Sequence, residues 1–506
     1  MKGWRSMGFL YGVALVAAAF VLVSLVPVPP HDFWWYLRLG QDILREGTIP
    51  TADAYSWTRY GAPVAYHSWL SAVGLYALYR TGGLPLVVAV NALSVAALFG
   101  GAYWLAWRAS GRYRLAAVAA SLGLLMSSNN WAVRPQSFAF PLFALTLALA
   151  WPATGREAPR RVWLLPAVVA LWVNVHGSFV LAPLIVGAVW AGLLVERLVS
   201  SGRFALRHGE QETALGRLRR PANGQGNAVT LARLGGVLAL MLLAALVNPR
   251  GPGALAYVVR LLTDPPSQAF IVEWQPPRPT TPQGALFFAS LVVLMAALAW
   301  APRRPRPPHL FLLALFAGMG LVSTRYVVWY AAALPLLVSA LFSMAGQGGR
   351  EEAFQPTLHV ATLAVLVALP LLLNPWTKAR LPLPEKVSVA VTPDTPVAAA
   401  AWLRQHPQGG PLFNEMGYGS YLIWAVPEVP VFIDTRVELY PLAQWNDYAA
   451  ISGGRYDYEA LLARWGVGRV MADKVRQPAL VAALRQNPRW QVVYEDERTV
   501  IAEVEP

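Results

Sequence analysis

Apolar residues fill the first three quarters of this chain in blocks of membrane-crossing length. A helix needs about 17 to 25 apolar residues to span the hydrocarbon core, and a helix satisfies its own backbone there. Eleven blocks fit or approach that length: 7–28, 84–107, 115–128, 135–152, 162–175, 179–197, 231–247, 284–300, 308–322, 326–343 and 356–374. A twelfth, 67–80, is short for a crossing. The pattern predicts an all-α polytopic membrane domain over 1–374 with 11 to 12 transmembrane helices and a first outer-face loop at 29–66. From about residue 375 the texture changes. Short runs of strand length at 411–413, 429–433, 467–471, 490–494 and 499–504 alternate with helical stretches at 396–405, 458–465 and 478–487. That alternation predicts a small C-terminal α/β domain over 375–506.

Composition agrees with a membrane protein: 56% of residues are hydrophobic and 13% charged, against about 25% charged in soluble domains. The net charge of +14 would suggest a nucleic-acid partner if it were evenly spread. It is not. Residues 375–506 hold 13 basic and 15 acidic residues, leaving 28 and 12 for the membrane part. With the N-terminus cytoplasmic and eleven crossings, 19 of those 28 fall in inner segments, as the positive-inside rule requires. The excess therefore reports topology, and no nucleic-acid partner is expected. The first block ends in Val-Pro-Val-Pro-Pro with no small-x-small cleavage site, so it is expected to remain as an anchor. Cysteine is absent, which removes disulfides and thiol chemistry. Arginine outnumbers lysine, whose only positions are 2, 378, 386 and 474, and with 41 prolines this fits a GC-rich bacterial genome. A bacterial cytoplasmic (inner) membrane with the C-terminal domain extracytoplasmic is the expected location.

The same parity gathers the chemistry on the outer face. No predicted span carries an acid at its centre, which argues against a proton relay or ion-coupled transporter. The outer acids of the membrane part are Asp32, Asp42, Glu46, Asp53, Asp264 and Glu273. Asp32 precedes Phe33, Trp34, Tyr36, Leu37, Ile43 and Leu44, whose spacing predicts an amphipathic helix lying along the membrane surface. By position Asp32 reads as its N-cap. Trp34 and Trp35 read as interfacial anchors, Asp42 and Glu46 as water-facing, and Asp53 as a turn residue. Arg134 and Arg325 at span ends read as snorkelling cations, His176 as a structural hydrogen-bonding residue, and Glu273 as a loop carboxylate beside a tryptophan. Asp434-Thr435-Arg436 reads as a turn or salt bridge inside the outer domain, with an acceptor-binding role as the second choice.

Taken in order, these segments resemble a known family. An Asp after the first span, the surface helix Tyr-Leu-Arg-Leu-Gly-Gln-Asp-Ile-Leu-Arg-Glu-Gly-Thr-Ile-Pro, Arg134-Pro135-Gln136, Asn174-Val175-His176-Gly177-Ser178, Asn248-Pro249, Glu273-Trp274-Gln275-Pro276-Pro277, Tyr418-Gly419-Ser420-Tyr421-Leu422 and Phe432-Ile433-Asp434-Thr435-Arg436 resemble the GT-C membrane glycosyltransferases. Among those, the bacterial relatives of protein O-mannosyltransferases and the lipid A aminoarabinose transferase are the most similar in pattern, over nearly the whole chain.

The resemblance implies transfer of a sugar from a polyprenyl-phosphate carrier to a hydroxyl acceptor (glycan, lipid or protein) on the outer face, with inversion. Asp32 matches the family's first-loop Asp and would be the general base. Arg134 and Arg325 would hold the phosphate by two-pronged contacts, and His67, His176 and Glu273 would line the same cleft. Two departures stand out. Tyr66-His67-Ser68-Trp69 replaces the acidic-Lys-Pro-Pro stretch of the aminoarabinose transferases, so His67 stands where a phosphate-binding Lys would be. The first loop also has no Asp-x-Asp pair to hold a divalent cation, so a metal-independent mechanism without cofactor is expected. The rival reading is a non-catalytic scaffold or assembly subunit that keeps the fold, because fold does not imply function.

Overall fold

A computed structural model describes residues 6–155, 158–200, 224–300, 305–342 and 356–505. Most of the basic 201–228 stretch, the N-terminal Lys2 and Arg5, Arg156, Arg303, Arg304 and Arg350 lie outside the described residues, as do Glu157, Glu210, Glu212, Glu351 and Glu352.

The helices of the first part are α1 (Met7–Ser24), α2 (Asp32–Glu46), α3 (Trp69–Ser110), α4 (Tyr113–Met126), α5 (Gln136–Ala150), α6 (Leu165–Val175), α7 (Leu181–Ser200), α8 (Gly224–Ala244), α9 (Gly253–Leu262), α10 (Pro265–Phe270), α11 (Pro282–Trp300), α12 (Pro307–Val322), α13 (Val327–Phe342) and α14 (Pro356–Leu372). A helix underlies every apolar block. Six helical segments among the described residues are long and apolar enough to cross a membrane, and five other apolar helices run only 10–17 residues. The chain is a multi-pass membrane protein. Its largest core is built around Trp172, Trp329, Tyr330, Phe99, Phe140 and Phe143 from α3, α5, α6 and α13, all at most 2% exposed.

The twelfth apolar segment is the front of α3. Gly82 and Gly83 interrupt that 42-residue helix, and Gly83 takes a φ of 65° that only glycine adopts at little cost. At about 1.5 Å per residue the whole helix is about twice the hydrocarbon thickness. The part before the break packs on α2 so closely that a Cβ on Gly40 would stand 2.1 Å from the Ala72 carbonyl oxygen.

The rest of the chain carries α15 (Glu385–Ser388), α16 (Val397–Gln405), β1 (Leu412–Asn414), α17 (Met416–Ala425), α18 (Leu442–Ser452), α19 (Tyr458–Arg464), β2 (Arg469–Asp473), α20 (Pro478–Gln486), β3 (Trp490–Glu495) and β4 (Thr499–Val504). The sheet order is β1-β2-β4-β3, with β1 parallel to β2 and the other pairs antiparallel; Phe413 pairs with Val470 and Met471 with Ile501. The predicted strand at 429–433 does not join this sheet. Val431 instead bridges Ser56 of the first outer loop, exchanging backbone bonds with Tyr55 and Trp57 at 3.1 Å. Its apolar side chains, Val431, Phe432 and Ile433, are fully buried, because they fill the junction between domain and loop. The runs 416–425 and 442–452, unassigned from the pattern, are helices.

Docking of this C-terminal domain, called the outer domain after the expected topology, also changes α2. It is not a membrane-surface helix: Phe33, Trp34 and Leu37 pack toward α3, while Trp35, Leu39 and Ile43 pack with Tyr66, Tyr418 and Leu422. Trp34 and Trp35 are 4% and 6% exposed, buried by protein on both sides, so neither is an interfacial anchor. Asp42 is buried too, taking Arg38 Nε at 3.0 and 2.9 Å and the Tyr55 hydroxyl at 2.9 Å, because the returning loop covers it. Only Glu46 keeps the water-facing place expected of both.

The deepest electrostatic contact of the junction is Arg436. Its guanidinium donates to Asp434 at 2.9 and 2.6 Å, to Asp53 at 2.5 Å and to the Tyr66 hydroxyl at 2.8 Å. It is 3% exposed, Asp53 2% and Asp434 0%. Asp53 does form a turn, accepting from Tyr55 N and Ser56 N, but it also pairs across the junction. Removing one partner from such a buried cluster leaves uncompensated charge, which costs about 3–5 kcal/mol. Arg436→Ala should lower unfolding stability by about that amount in detergent or nanodiscs; a loss under about 1 kcal/mol would mean the cluster does not hold the junction.

Candidate functional site

A cavity of about 580 Å³ lies where the outer domain meets the membrane helices. All six residues singled out from the sequence, Asp32, His67, Arg134, His176, Glu273 and Arg325, line it. They come from six separate segments, brought together by hydrogen bonds between loops. Asn248 Nδ2 donates to Val173 O at 3.1 Å and Asn174 Oδ1 at 3.2 Å, and reaches His67 O at 3.4 Å; Asn174 Nδ2 donates to Val247 O at 2.7 Å. Trp69 Nε1 donates to Asn174 Oδ1 at 2.9 Å and Ser71 Oγ to Val175 O at 2.7 Å. The two asparagines thus place His67 beside His176. Elsewhere the Ser323 hydroxyl donates to Glu273 O at 2.8 Å and Thr324 N to Gln275 O at 2.9 Å, which seats Glu273 beside Arg325.

Asp32 is the first residue of α2, and the N-cap is His31. The expected capping bond is absent: among the described residues the Asp32 carboxylate makes no hydrogen bond and no ion pair. Arg134 is not the free phosphate clamp expected of it. Its two terminal nitrogens donate to the two oxygens of Glu273, both at 2.7 Å. In a cavity of low polarity a two-pronged pair of this kind is the natural resting partner for each charge. Burial alone would raise the Glu273 carboxyl, but Arg134, then Arg325, hold it down to about 2. Arg325 stacks over Trp274 at 5.5 Å from the ring centroid and pairs with no carboxylate among the described residues.

The two histidines are held neutral. Burial pushes the His67 imidazole down to about 4, with the Arg325 and Arg250 charges adding to the effect. Burial, then Arg325, puts His176 well below its usual range. The Ser178 amide donates to His176 Nδ1 at 3.0 Å, so the neutral ring carries its proton on Nε2. His67 lies against the Tyr257 ring at 4.4 Å, and a Cβ on Gly177 would stand 3.3 Å from His67 Nε2.

Three lining groups had not been picked out. Tyr36, Tyr257 and Glu438 face the cavity, and the Tyr257 hydroxyl donates to Glu438 Oε1 at 2.7 Å. Tyr36 lies on the α2 face already read as apolar. Glu438 follows Arg436 by two residues, and nothing in its local pattern says that its turn enters a membrane-side cavity. The other walls are apolar: Leu181 and Leu184 of α7, Leu315 and Met319 of α12, and Val258 and Leu261 of α9. No three His, Cys, Asp or Glu side chains among the described residues are grouped to hold a metal ion.

Comparison with solved structures places the fold. Oligosaccharyltransferase AglB from Archaeoglobus fulgidus, in complex with an inhibitory peptide and a dolichol-phosphate, superposes over 100% of this chain and 74% of its own, with a TM-score of 0.55 at 13% identity. This is the GT-C fold. The A. fulgidus oligosaccharyltransferase tethered to an acceptor peptide gives 0.53 at 14% identity, over 99% of this chain and 75% of its own. ArnT from Cupriavidus metallidurans gives 0.49 at 18% identity over 97% and 96%. No protein-family model matches the sequence, and no curated protein matches it.

The neutral histidines give this GT-C site a pH signature. In the unfolded chain a histidine titrates near 6.5, in the fold His67 only near 4. As pH falls from 6.5 toward 4 the unfolded chain binds a proton that the fold refuses, so stability falls across that window and is recovered above it. Replacing His67 by Asn should make the fall shallower, as measured by unfolding at stepped pH.

Proposed function

We propose that this chain is an integral membrane glycosyltransferase that moves a sugar from a polyprenyl-phosphate donor to a hydroxyl acceptor, with inversion, on the outer face of a bacterial cytoplasmic membrane. One observation carries the reading: Asp32 and Arg325 face the same cavity as a carboxylate and a guanidinium with no ion-pair partner among the described residues, while Arg134 and Arg436 are already paired. Transfer from a lipid phosphate needs one group of each kind. Asp32 takes the proton of the acceptor hydroxyl as its oxygen attacks C1. The C1–O bond to phosphate breaks on the opposite side, its electron pair leaves with the phosphate, and Arg325 holds that growing negative charge. A single displacement inverts C1.

The apolar wall from α7, α9 and α12 suits the first isoprene units of such a carrier, and AglB, of the same fold, is known in complex with a dolichol-phosphate. The neutral His176 offers its Nε2–H to sugar or phosphate oxygens, while the His67 ring, bonded to Ser68 at 2.8 Å, packs beside it. Charge balance is assigned to Arg325 and this donor without a metal, since the first loop lacks a second carboxylate two residues from Asp32. Orientation follows the arginine-rich inner loops, with the N-terminus cytoplasmic and the outer domain outside.

The test is turnover and donor binding by protein in nanodiscs, given undecaprenyl-phosphate-linked sugars, together with mass spectrometry of co-purified lipid. Asp32→Asn should lower turnover by about 10²–10⁴-fold, as loss of a general base does, with donor binding within a few fold of wild type. Arg325→Ala should weaken donor binding by about tenfold or more, the scale of a lost hydrogen bond to a charged group. Wild type that neither binds nor turns over such a donor would leave the scaffold reading in its place.

A further inference from the structure

The turn Val437–Leu439 brings Val437 and Glu438 of the outer domain into the cavity wall. Its neighbours fix its position. Arg436 is locked by its ion pairs, Val437 and Tyr440 are each 1% exposed, Tyr440 donates to Asp434 at 2.5 Å, and Trp445 Nε1 donates to Val437 O at 3.1 Å. Of residues 436–440 Glu438 keeps the most accessible side chain, and that side chain opens into the enclosed cavity rather than to bulk water. Its carboxylate accepts from Tyr257 and forms no ion pair among the described residues.

The pairing of the lining charges now matters. Arg134 is taken by Glu273, and Arg436 by Asp53 and Asp434. Arg325 is left as the unpaired cation, with Asp32 and Glu438 as the unpaired carboxylates. Once a donor phosphate sits on Arg325, the remainder of the site is two carboxylates in a confined space. Enclosure in the cavity, and to a lesser degree the Asp32 charge, raise the proton affinity of Glu438, against the lowering by the Tyr257 hydrogen bond and Arg436.

We propose that Glu438 reads the acceptor: it receives a hydrogen from an ammonium or hydroxyl group next to the reacting hydroxyl and bars acceptors that carry an anion there. This rests on the transferase reading for the word acceptor, but the charge preference of the site can be measured without turnover. The outer domain is then part of the binding site, supplying a specificity group that the membrane helices lack. Like-charge contact disfavours the wrong ligand more strongly than the right contact favours its own.

The experiment uses the full chain in nanodiscs loaded with undecaprenyl phosphate and measures binding of three labelled probes: octyl β-glucosaminide (ammonium), octyl β-glucoside (neutral) and octyl β-glucuronide (carboxylate). Wild type should bind the ammonium probe about tenfold tighter than the neutral one and the carboxylate probe weakest. Glu438→Gln keeps an oxygen for Tyr257 and should erase that tenfold preference while improving glucuronide binding; comparing variants in the same discs cancels partitioning into lipid. Tyr257→Phe keeps the carboxylate and should keep the order. The proposal is overturned if none of the probes binds, if wild type does not sort them by charge, if Glu438→Gln leaves the order unchanged, or if Tyr257→Phe reproduces its effect, which would make the pair a latch between α9 and the outer domain. Failure of sugar transfer with every donor would instead sink the transferase reading, while the binding order would still decide the role of Glu438.

Discussion

Arg436 sits in a place with almost no water, and a guanidinium survives there only because two carboxylates and a phenol surround it. One of those carboxylates, Asp53, belongs to the first outer loop, the other, Asp434, to the outer domain. The cluster therefore specifies how the two meet: Arg436 pairs with Asp434 inside its own domain, and its remaining nitrogen takes Asp53 and Tyr66 of the loop, so Asp53 is buried only where the domain docks. Everything around the cavity inherits that constraint. Val431 bridges Ser56 beside it, Trp35 and Tyr55 lie over the Arg436 guanidinium at 5.9 and 5.1 Å, and the turn that carries Glu438 follows directly after it.

Within the cavity, function is separated from structure by pairing. Arg134 and Glu273 satisfy each other through two 2.7 Å bonds, which fixes the loop between α10 and α11 against the entry to α5. The asparagines 174 and 248 spend their amides on backbone oxygens and on each other. Among the described residues that line the cavity, Asp32, Arg325 and Glu438 form no ion pair. Asp32 and Arg325 are half-buried and open to the cavity, so a ligand that enters it meets an unpaired carboxylate and an unpaired guanidinium.

Much of the site was legible before any coordinates. Span parity put Asp32, His67, Arg134, His176, Glu273 and Arg325 on one face, and one cavity does collect them. What was misread shares one cause. Trp34, Trp35 and Asp42 read as surface residues, 429–433 as a strand, and Arg134 as a free cation, because each was judged from its own segment. In each case the partner comes from far along the chain: Tyr421 packs on Trp34, Tyr55 covers Asp42, Ser56 pairs with Val431, and Glu273 occupies Arg134. Glu438 and Tyr257 were missed for the same reason, since their role depends on a contact between α9 and a turn 181 residues later.

The sequence by itself determined the apolar helices and the change to shorter, mixed α/β elements near residue 375. These depend on short-range periodicity and on the cost of placing charge in hydrocarbon, which each stretch of chain carries alone. Tertiary structure decided which charges are spent and which are free. An ion pair or hydrogen bond forms between side chains that meet in space, and at Arg134, Arg436 and Glu438 the meeting partner lies 139, 383 and 181 residues away.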